Sequence, residues 1–325
     1  MDLVFAPVIP DEVQRTEQET ALLQLALALK NSGYHFTAVT PATHARVNSR
    51  AGNEWAADIE GIFGWSRPFR ADLLPQPLFR LMDAAGVAAR HGEGWRSLVR
   101  MATLHGQLFV HSAYPTVDTD AVFFGPDTYR FTSALARHLA ARTDPLRRAV
   151  DIGCGAGPGA VVVALERPEA EVHAVDINEA ALRLAAINAR LASTPNVIPR
   201  YSNLLAAVDG DFDLIVANPP YLLDPSKRAY RHGGGGLGEG LSLAIVDVAM
   251  DRLAPGGTLL LYTGAAIVGG ADYFGGTIRT RLDRADMEWD YREIDPDVFG
   301  EELLQPAYAE TDRIAAVLLT MTKKR

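Results

Sequence analysis

A tetrapeptide suited to chemistry at a planar nitrogen, Asn-Pro-Pro-Tyr at residues 218–221, follows an apolar run at residues 213–217 that predicts a buried strand. Two prolines stop a sheet and carry no N–H, so nearby carbonyls can point at a ligand. The side-chain oxygen of Asn218 and the carbonyl of Pro219 could accept both hydrogens of an –NH2 group, and Tyr221 offers a flat face. Acceptors that hold the nitrogen more tightly as it becomes pyramidal would favour the transition state of group transfer. On its own, the run also fits a simple turn.

A glycine-rich loop is the second chemical feature, and residues 149–160 read AVDIGCGAGPGA. Alternating glycines directly after a strand let the backbone turn tightly and approach a ligand closely. Two cofactor classes fit this loop. The dinucleotide pattern G-x-G-x-x-G/A matches only from Gly155, where it ends on Ala160, because Pro158 breaks the match that starts at Gly153. The pattern acid-x-G-x-G-x-G matches in full from Asp151.

Other residues beside these strand ends could contact a nucleoside. Asp176 ends the second predicted strand, and its carboxylate could accept hydrogen bonds from both ribose hydroxyls while Ile177 packs on adenine. Asp176 also fits a helix N-cap, and nicotinamide and methionine cofactors share the ribose contact. Asn203 and Leu204 follow the third strand, where the Asn203 oxygen could accept from an adenine amino group. Cys154 is interpreted as a small residue beside the ligand and not as a nucleophile, because no base is paired with it.

The second half of the chain predicts the scaffold that brings these strand ends together. Strands separated by helical segments imply a parallel sheet, with ligands at its carboxyl edge. The last two strands have no helix between them, which predicts one antiparallel strand near the C-terminus. The predicted strands are residues 147–152, 171–175, 197–201, 213–217, 258–262, 289–294 and 314–320, and the predicted helices are residues 159–165, 179–192, 242–253 and 273–285.

The first half predicts a mainly helical domain that ends in a β-hairpin. Helical spacing covers residues 13–30, 75–89 and 95–104, and Thr40-Pro41 indicates another helix start, with Thr40 as N-cap. Strand-like runs at residues 108–112 and 121–124 flank Pro115 and predict the hairpin. The predicted domains are residues 1–122 and residues 123–325.

Over residues 123–322 the chain resembles class I S-adenosylmethionine-dependent N-methyltransferases with an Asn-Pro-Pro-Tyr motif, especially the HemK-type glutamine methyltransferases and their small-domain RNA-modifying relatives. The resemblance implies a Rossmann-like sheet, S-adenosyl-L-methionine as cofactor, and a glutamine amide or nucleic-acid base as acceptor. It implies catalytic roles for Asn218, Pro219 and Tyr221. The implied cofactor-binding residues are Asp151, Gly153, Cys154, Gly155, Asp176, Ile177, Asn203, Leu204, Asn218 and Thr128.

The segment FFGPDTYRF, residues 123–131, extends the resemblance. HemK-type enzymes carry Arg-Pro-x-Thr-Glu here, and their Pro and Thr correspond to Pro126 and Thr128. Gly125 and Tyr129 replace the Arg and Glu, which suggests a neighbouring subfamily. Thr128 is the candidate for the methionine end of the cofactor, or alternatively a helix-capping residue.

Composition limits the remaining choices. The 325 residues are 48% hydrophobic and 22% charged, which excludes a disordered chain, and the single cysteine excludes an intrachain disulfide. The formal charge of −9 argues against a broad basic surface for nucleic acid. Acid near the start, where a secretion signal would carry base, and the lack of a long apolar run predict a cytoplasmic protein without membrane contact.

Three weaker signals complete the set. The basic loop at residues 224–239, which includes Lys227, could close over a ligand or be a solvated loop. Arginines at residues 67–100 could form a substrate patch, but interspersed acids favour a surface of arginines with their stems packed down. His105 and His111 lack spaced partners, so no metal is expected.

Three functional hypotheses follow: an N-methyltransferase acting on protein or RNA, an NAD-type oxidoreductase using the shifted glycine match, and a non-catalytic cofactor-binding subunit. The oligomeric state stays open.

Overall fold

The computed structural model describes residues 10–224, 228 and 230–325, with side chains of the first helix described from residue 15 onward. The acidic start used above against a secretion signal lies largely outside the described side chains. The chain divides into two compact units. One extends to Thr116 and takes in Arg190–Ser193, and the other comprises Val117–Ala189 and Thr194–Arg325. Among the described helices, none has the length and apolar character needed to cross a membrane.

The first unit combines helices with two β-hairpins. Its elements are α1 (Pro10–Asn31), α2 (Pro41–Asn48), α3 (Ile59–Phe63), a 3-10 helix (Ala71–Leu73), α4 (Gln76–Ala84), β1 (Ala88–His91), β2 (Gly94–Ser97), β3 (Val99–Leu104) and β4 (Gln107–Ser112). The predicted start of α2 is confirmed, because the Thr40 hydroxyl accepts from the Thr43 N–H at 3.1 Å.

Two predictions in this unit are wrong, and the helix predicted for residues 75–89 ends at Ala84, ahead of β1. Residues 95–104 form strands and no helix. In particular, β3 pairs with β4, with Val99 opposite Ser112 at one end and Leu104 opposite Gln107 at the turn. His105 and Gly106 both have positive φ, 47° and 73°, which closes this hairpin with a two-residue turn. Residues 108–112 therefore pair backwards along the chain and not with residues 121–124, which are described and form no strand. Short apolar runs fit both helical and strand periodicity, so tertiary pairing decided them.

Arginines of the first unit lie on aromatic rings. The Arg90 Cζ lies 3.9 Å from the centre of the Trp95 ring, and the Arg70 Cζ lies 4.7 Å from the centre of the Trp55 ring. Arg100 is buried. These positions agree with the interpretation in which the arginine stems pack down on apolar surface.

The second unit is built on one large sheet whose element order matches the prediction. Its strands are β5 (Arg148–Ile152), β6 (Glu171–Asp176), β7 (Val197–Tyr201), β8 (Phe212–Ala217), β9 (Leu253–Val268), β10 (Ala271–Asp272), β11 (Met287–Asp295) and β12 (Thr311–Lys323). Its helices are α5 (Pro126–Ala141), α6 (Pro158–Glu166), α7 (Glu179–Leu191), α8 (Gly240–Arg252) and α9 (Tyr273–Leu282), with 3-10 helices at Gly300–Leu304 and Pro306–Tyr308.

The strand order is β7-β6-β5-β8-β9-β12-β11, and the two-residue β10 pairs with β9. The first five strands of this order are parallel, whereas β12 runs antiparallel to both of its neighbours. The prediction of a mostly parallel, Rossmann-like sheet with an antiparallel strand near the C-terminus is confirmed. The central strands are buried on both faces, as the continuous apolar run of β8 requires.

A buried histidine in the first unit links packing to pH. His44 is fully buried, its ring centre lies 4.0 Å from that of Tyr114 and 5.4 Å from that of Trp65, and Asn48 contacts its Nδ1 at 3.3 Å. Burial, helped by the charge of Arg100, lowers the pKa of His44 to about 4. The imidazole is therefore neutral in the folded protein at neutral pH.

Replacing His44 by Gln should make the first unit less sensitive to acid. Because the folded-state pKa is about 4 and the usual value 6.5, the His44 contribution is complete above pH 6.5 and is lost as the pH falls toward 4. Between pH 7.5 and pH 5 the wild type should lose about 2 kcal/mol of unfolding free energy more than His44→Gln. Denaturant unfolding followed by tryptophan fluorescence measures this, since three of the four tryptophans precede residue 117.

The matched control is His35→Gln, at an exposed histidine of the same unit. It should keep the wild-type pH dependence. Equal pH dependence for the two variants would show that burial of His44 has no such effect.

Candidate functional site

One cleft of about 200 Å³ in the second unit brings together all the residues predicted to form the site. It lies where β5, β6, β7 and β8 end, the edge at which parallel sheets bind ligands. The predicted residues among its lining are Thr128, Asp151, Gly153, Cys154, Gly155, Asp176, Ile177, Asn203, Leu204, Asn218, Pro219 and Tyr221. Their convergence is a structural fact, while their individual roles stay predictions.

The glycine loop is tied to the end of β6 through its backbone. The N–H groups of Gly153 and Cys154 both donate to the Val175 carbonyl, at 2.9 and 3.0 Å. The Gly155 N–H donates to Asp176 Oδ2 at 3.0 Å. Gly153 and Gly155 have φ values of 68° and 53°, a left-handed conformation that favours glycine. The loop therefore has one defined course beside the cleft.

Asp151 connects this loop to α6. Its carboxylate is buried, and Oδ2 accepts from the Ala160 N–H at 2.9 Å, in the first turn of the helix. A Cβ on Gly159 would lie 2.6 Å from the same oxygen, so the carboxylate can come this close only because residue 159 has no side chain. Burial, together with the charge of Asp176, raises the pKa of Asp151 to about 7.

Asp176 has both oxygens on backbone donors. Besides Gly155, the Asn178 N–H donates to its Oδ1 at 2.9 Å. The helix-capping role considered for Asp176 belongs to Asn178, whose Oδ1 accepts from the Ala180 N–H at 2.9 Å. Burial raises the pKa of Asp176. The Ile177 backbone also hydrogen-bonds to this carboxylate. A carboxylate has about four acceptor positions, so acceptor capacity remains for a ligand.

Apolar surface lies directly beside this carboxylate. Ile177 is 52% exposed and lines the cleft. Asn203 is exposed and lines the cleft. Its backbone carbonyl accepts from the Ala206 N–H at 3.1 Å, a bond that does not involve its side chain. Leu204 follows in a left-handed conformation with φ of 50°.

The backbone of the tetrapeptide packs against two glycines that follow it, Gly233 and Gly238. A Cβ on Gly233 would lie 2.7 Å from the Pro220 carbonyl oxygen, and one on Gly238 would overlap the Tyr221 carbonyl. Backbone therefore packs on backbone at Gly233 and Gly238, which leaves no room for a side chain at either position. Pro219 and Tyr221 are buried, while Asn218 is half-buried on the cleft wall.

The basic loop after the tetrapeptide is anchored at several described residues. Arg228 donates to Asp224 at 2.7 Å, and Arg231 pairs with the buried Glu302. The Tyr230 and Phe123 rings are stacked, with an interplanar angle of 9°. Lys227 lies outside the described residues. Whether the loop closes over a ligand stays a prediction.

Thr128 has a helix-capping contact in addition to its place in the cleft. Its hydroxyl accepts from the Gly125 N–H at 3.3 Å, at the start of α5. A Cβ on Gly125 would lie 2.5 Å from the Phe123 ring. That ring accounts for glycine at the position where HemK-type enzymes carry arginine.

The thiol of Cys154 is buried. Burial and the charges of Asp176 and Asp151 raise its pKa well above the usual value, so it stays protonated at neutral pH. A protonated thiol is a poor nucleophile, which fits the interpretation of Cys154 as a small residue in the loop. Across the described residues, no group of three or more His, Cys, Asp or Glu could hold a metal ion.

Sequence reasoning missed several residues at this cleft. Asp127, Phe123 and Phe299 line it, and Tyr262 of β9 hydrogen-bonds to Asp127. The segment at residues 123–131 pointed to the first two only through their neighbours. Phe299 follows β11 and had no local signal, because only the fold brings it to Tyr221, at 5.9 Å between ring centres.

Comparison with known proteins gives consistent matches. The family model described as "Methyltransferase small domain" matches residues 116–267. A release factor glutamine methyltransferase of Xylella fastidiosa is 40% identical over 131 residues, 36% of this chain and 47% of the relative. One from Bordetella pertussis is 33% identical over 202 residues, 56% of this chain and 73% of the relative. A ribosomal protein uL3 glutamine methyltransferase of Bordetella pertussis is 37% identical over 135 residues, 37% and 45% of the two chains.

The chain spans about half the length of the curated relatives first matched, with 47%, 50% and 47% of them covered.

Replacing Asp151 by Asn should reduce the loss of unfolding free energy that the wild type shows as the pH rises. Its folded-state pKa is about 7 and the usual value 3.8, so its contribution is complete below 3.8 and is lost as the pH rises toward 7. Between pH 5 and pH 8 the wild type should lose about 3 kcal/mol of unfolding free energy relative to Asp151→Asn. Denaturant unfolding followed by far-UV circular dichroism at these pH values measures the difference.

Asp209→Asn, at an exposed position of the same unit, is the control and should follow the wild type. If Asp151→Asn and Asp209→Asn gave the same pH dependence, the raised pKa would be contradicted.

Proposed function

Because the chain belongs to the methyltransferase family that includes the release factor glutamine methyltransferases, we propose that it is an N-methyltransferase that uses S-adenosyl-L-methionine. The acceptor is a planar amide or amino nitrogen. The observation that carries the proposal is that Asn218 and Pro219 line the same cleft as the glycine loop and Asp176.

The cleft fits the cofactor's nucleoside. Asp176 keeps acceptor positions beside a half-exposed apolar Ile177, which suits a ribose diol next to a flat purine. Glycines at residues 153 and 155 keep side chains out of the space beside the loop. Asp176, Ile177 and Asn203 would hold adenosine, while Thr128 and the glycine loop would lie at the methionine end.

The strand order and directions of the sheet do not favour the oxidoreductase alternative. A dinucleotide-binding sheet is mostly parallel and has the strand order 3-2-1-4-5-6. Here the antiparallel β12 lies between β9 and β11. The relatives compared above are methyltransferases, and none supports an oxidoreductase.

The mechanism rests on acceptors placed for a nitrogen. When bound, the cofactor's sulfonium supplies an activated methyl group with a good leaving group. Asn218 Oδ1 and the Pro219 carbonyl accept the two N–H hydrogens of the substrate and bind them more tightly as the nitrogen becomes pyramidal. The methylated nitrogen then gives up a proton to water, so a dedicated base is not required. Asp151 and Asp176 accept hydrogen bonds from backbone N–H groups, so neither is assigned the role of a catalytic base.

We place a protein glutamine first among the substrates. Residues 1–116 carry 10 Lys and Arg against 11 Asp and Glu, and residues 117–325 carry 21 against 29. Neither part has the excess of positive charge that binding to a phosphate backbone favours. The relatives named above act on a release factor or a ribosomal protein. Residues 1–122 are proposed to select the substrate, and an RNA base is the second candidate.

Two substitutions should separate cofactor binding from methyl transfer. Asn218→Ala removes one acceptor of the nitrogen and should lower the transfer rate about 100-fold or more, with the affinity for S-adenosylhomocysteine changed less than threefold. Asp176→Ala should instead abolish the thermal shift that S-adenosylhomocysteine produces. Equal loss of cofactor binding in both variants, or a thermal shift with NAD alone, would contradict these roles.

Methyl transfer from labelled cofactor into a cell extract tests the substrate. The label should appear in the protein fraction, on glutamine after hydrolysis under conditions that keep the amide, and Asn218→Ala protein should leave the fraction unlabelled. Label in RNA would select the second candidate. Cofactor binding without label in any fraction would favour a non-catalytic subunit.

A further inference from the structure

A buried carboxylate contacts the tetrapeptide from the segment of residues 123–131, at a position to which the sequence assigned no role. Asp127, in the first turn of α5, is only 5% exposed. The Tyr221 hydroxyl donates to its Oδ2 at 2.5 Å, and the Tyr262 hydroxyl donates to its Oδ1 at 2.7 Å. Arg130 contacts Oδ1 at 3.2 Å and pairs with Asp295 at 2.8 Å.

These contacts join three parts of the second unit at one carboxylate, and Arg130 links them to a fourth. Asp127 lies on α5, Tyr221 follows β8, Tyr262 lies on β9, and Asp295 ends β11. Burial raises the pKa of Asp127, and its hydroxyl and guanidinium partners oppose that rise. A buried carboxylate destabilises a fold unless its oxygens are hydrogen-bonded, whereas an apolar residue at the same place needs no partners. A role in the site accounts for a carboxylate at this position.

The Tyr221 side chain is held at both ends by these surroundings. Its hydroxyl is bound to Asp127, and a Cβ on Gly264 of β9 would overlap the tyrosine ring. Phe299 contacts the ring from a third direction at an interplanar angle of 71°. The ring is therefore positioned by groups outside the tetrapeptide, and the backbone that carries Asn218 and Pro219 is held with it.

On the premise of the proposed function, we propose that Asp127 is a positioning residue for methyl transfer. It acts through the Tyr221 hydroxyl, with Tyr262 holding the second carboxylate oxygen, and keeps the substrate acceptors of the tetrapeptide in place. A misplacement of about 1 Å at a reacting group can lower a rate by as much as about 100-fold.

The kinetic test is a double-mutant cycle on Asp127→Ala and Tyr221→Phe. Each variant should lower kcat about tenfold or more with KM and the affinity for S-adenosylhomocysteine changed less than threefold, using the labelled fraction of the extract as substrate. Because both changes break the same hydrogen bond, the double variant should be no slower than the slower single variant. Asp127→Asn, which keeps an acceptor oxygen, should recover part of the rate.

Tyr291→Phe is the matched control. Its hydroxyl also donates to a carboxylate, Asp272 at 2.6 Å, in the same unit but not in the lining of the cleft. It should keep wild-type kcat. Multiplicative losses in the cycle, or an equal loss in Tyr291→Phe, would overturn the proposal.

A second measurement does not depend on activity. In protein labelled with ¹³C at tyrosine Cζ, the signal that disappears in Tyr221→Phe belongs to Tyr221. This signal should shift in Asp127→Ala and stay in place in Tyr291→Phe. An unmoved signal in Asp127→Ala would overturn the positioning role even if no extract fraction accepts label, a result that would count separately against the proposed function.

Discussion

The pairing of β5 with β6 on one side and β8 on the other is the constraint on which the cleft depends. Parallel pairing aligns Ile152 with Val175 and with Ala217, so the three strands end at one edge of the sheet. The loops that follow them must therefore open into the same space. A glycine loop, an acidic strand end and the tetrapeptide meet there although the chain separates them widely.

Glycines, which have no side chain, allow the backbones around this edge of the sheet to approach one another. The glycine loop lies against the end of β6, where the Val175 carbonyl accepts from two successive N–H groups. Gly233 and Gly238 likewise allow close packing against the tetrapeptide, because any side chain there would collide with its carbonyls. The proposed acceptors for a substrate nitrogen, Asn218 and Pro219, thus directly precede backbone that is closely packed at Pro220 and Tyr221.

Three carboxylates support the cleft, two of them buried (Asp127 and Asp151) and one half-buried (Asp176). Asp151 and Asp176 accept from backbone N–H groups and hold the course of the glycine loop. Asp127 accepts from two tyrosine hydroxyls and holds the tetrapeptide. Burial raises the pKa of all three, and hydrogen bonds to the ionised form oppose that effect. Fixed donors of this kind replace water around each carboxylate and fix its direction.

The sequence by itself determined the alternating order of strands and helices, the antiparallel strand near the C-terminus, and the residues that converge on the cleft. These features rest on local signals, namely apolar periodicity, glycine spacing and proline, and on the rule that parallel strands share a carboxyl edge. Only the tertiary structure decided that residues 108–112 pair with β3, that residues 95–104 are strands, and that Asp127, Tyr262 and Phe299 surround Tyr221. Each of those outcomes depends on contacts between residues far apart in the chain, for which no local pattern carries information.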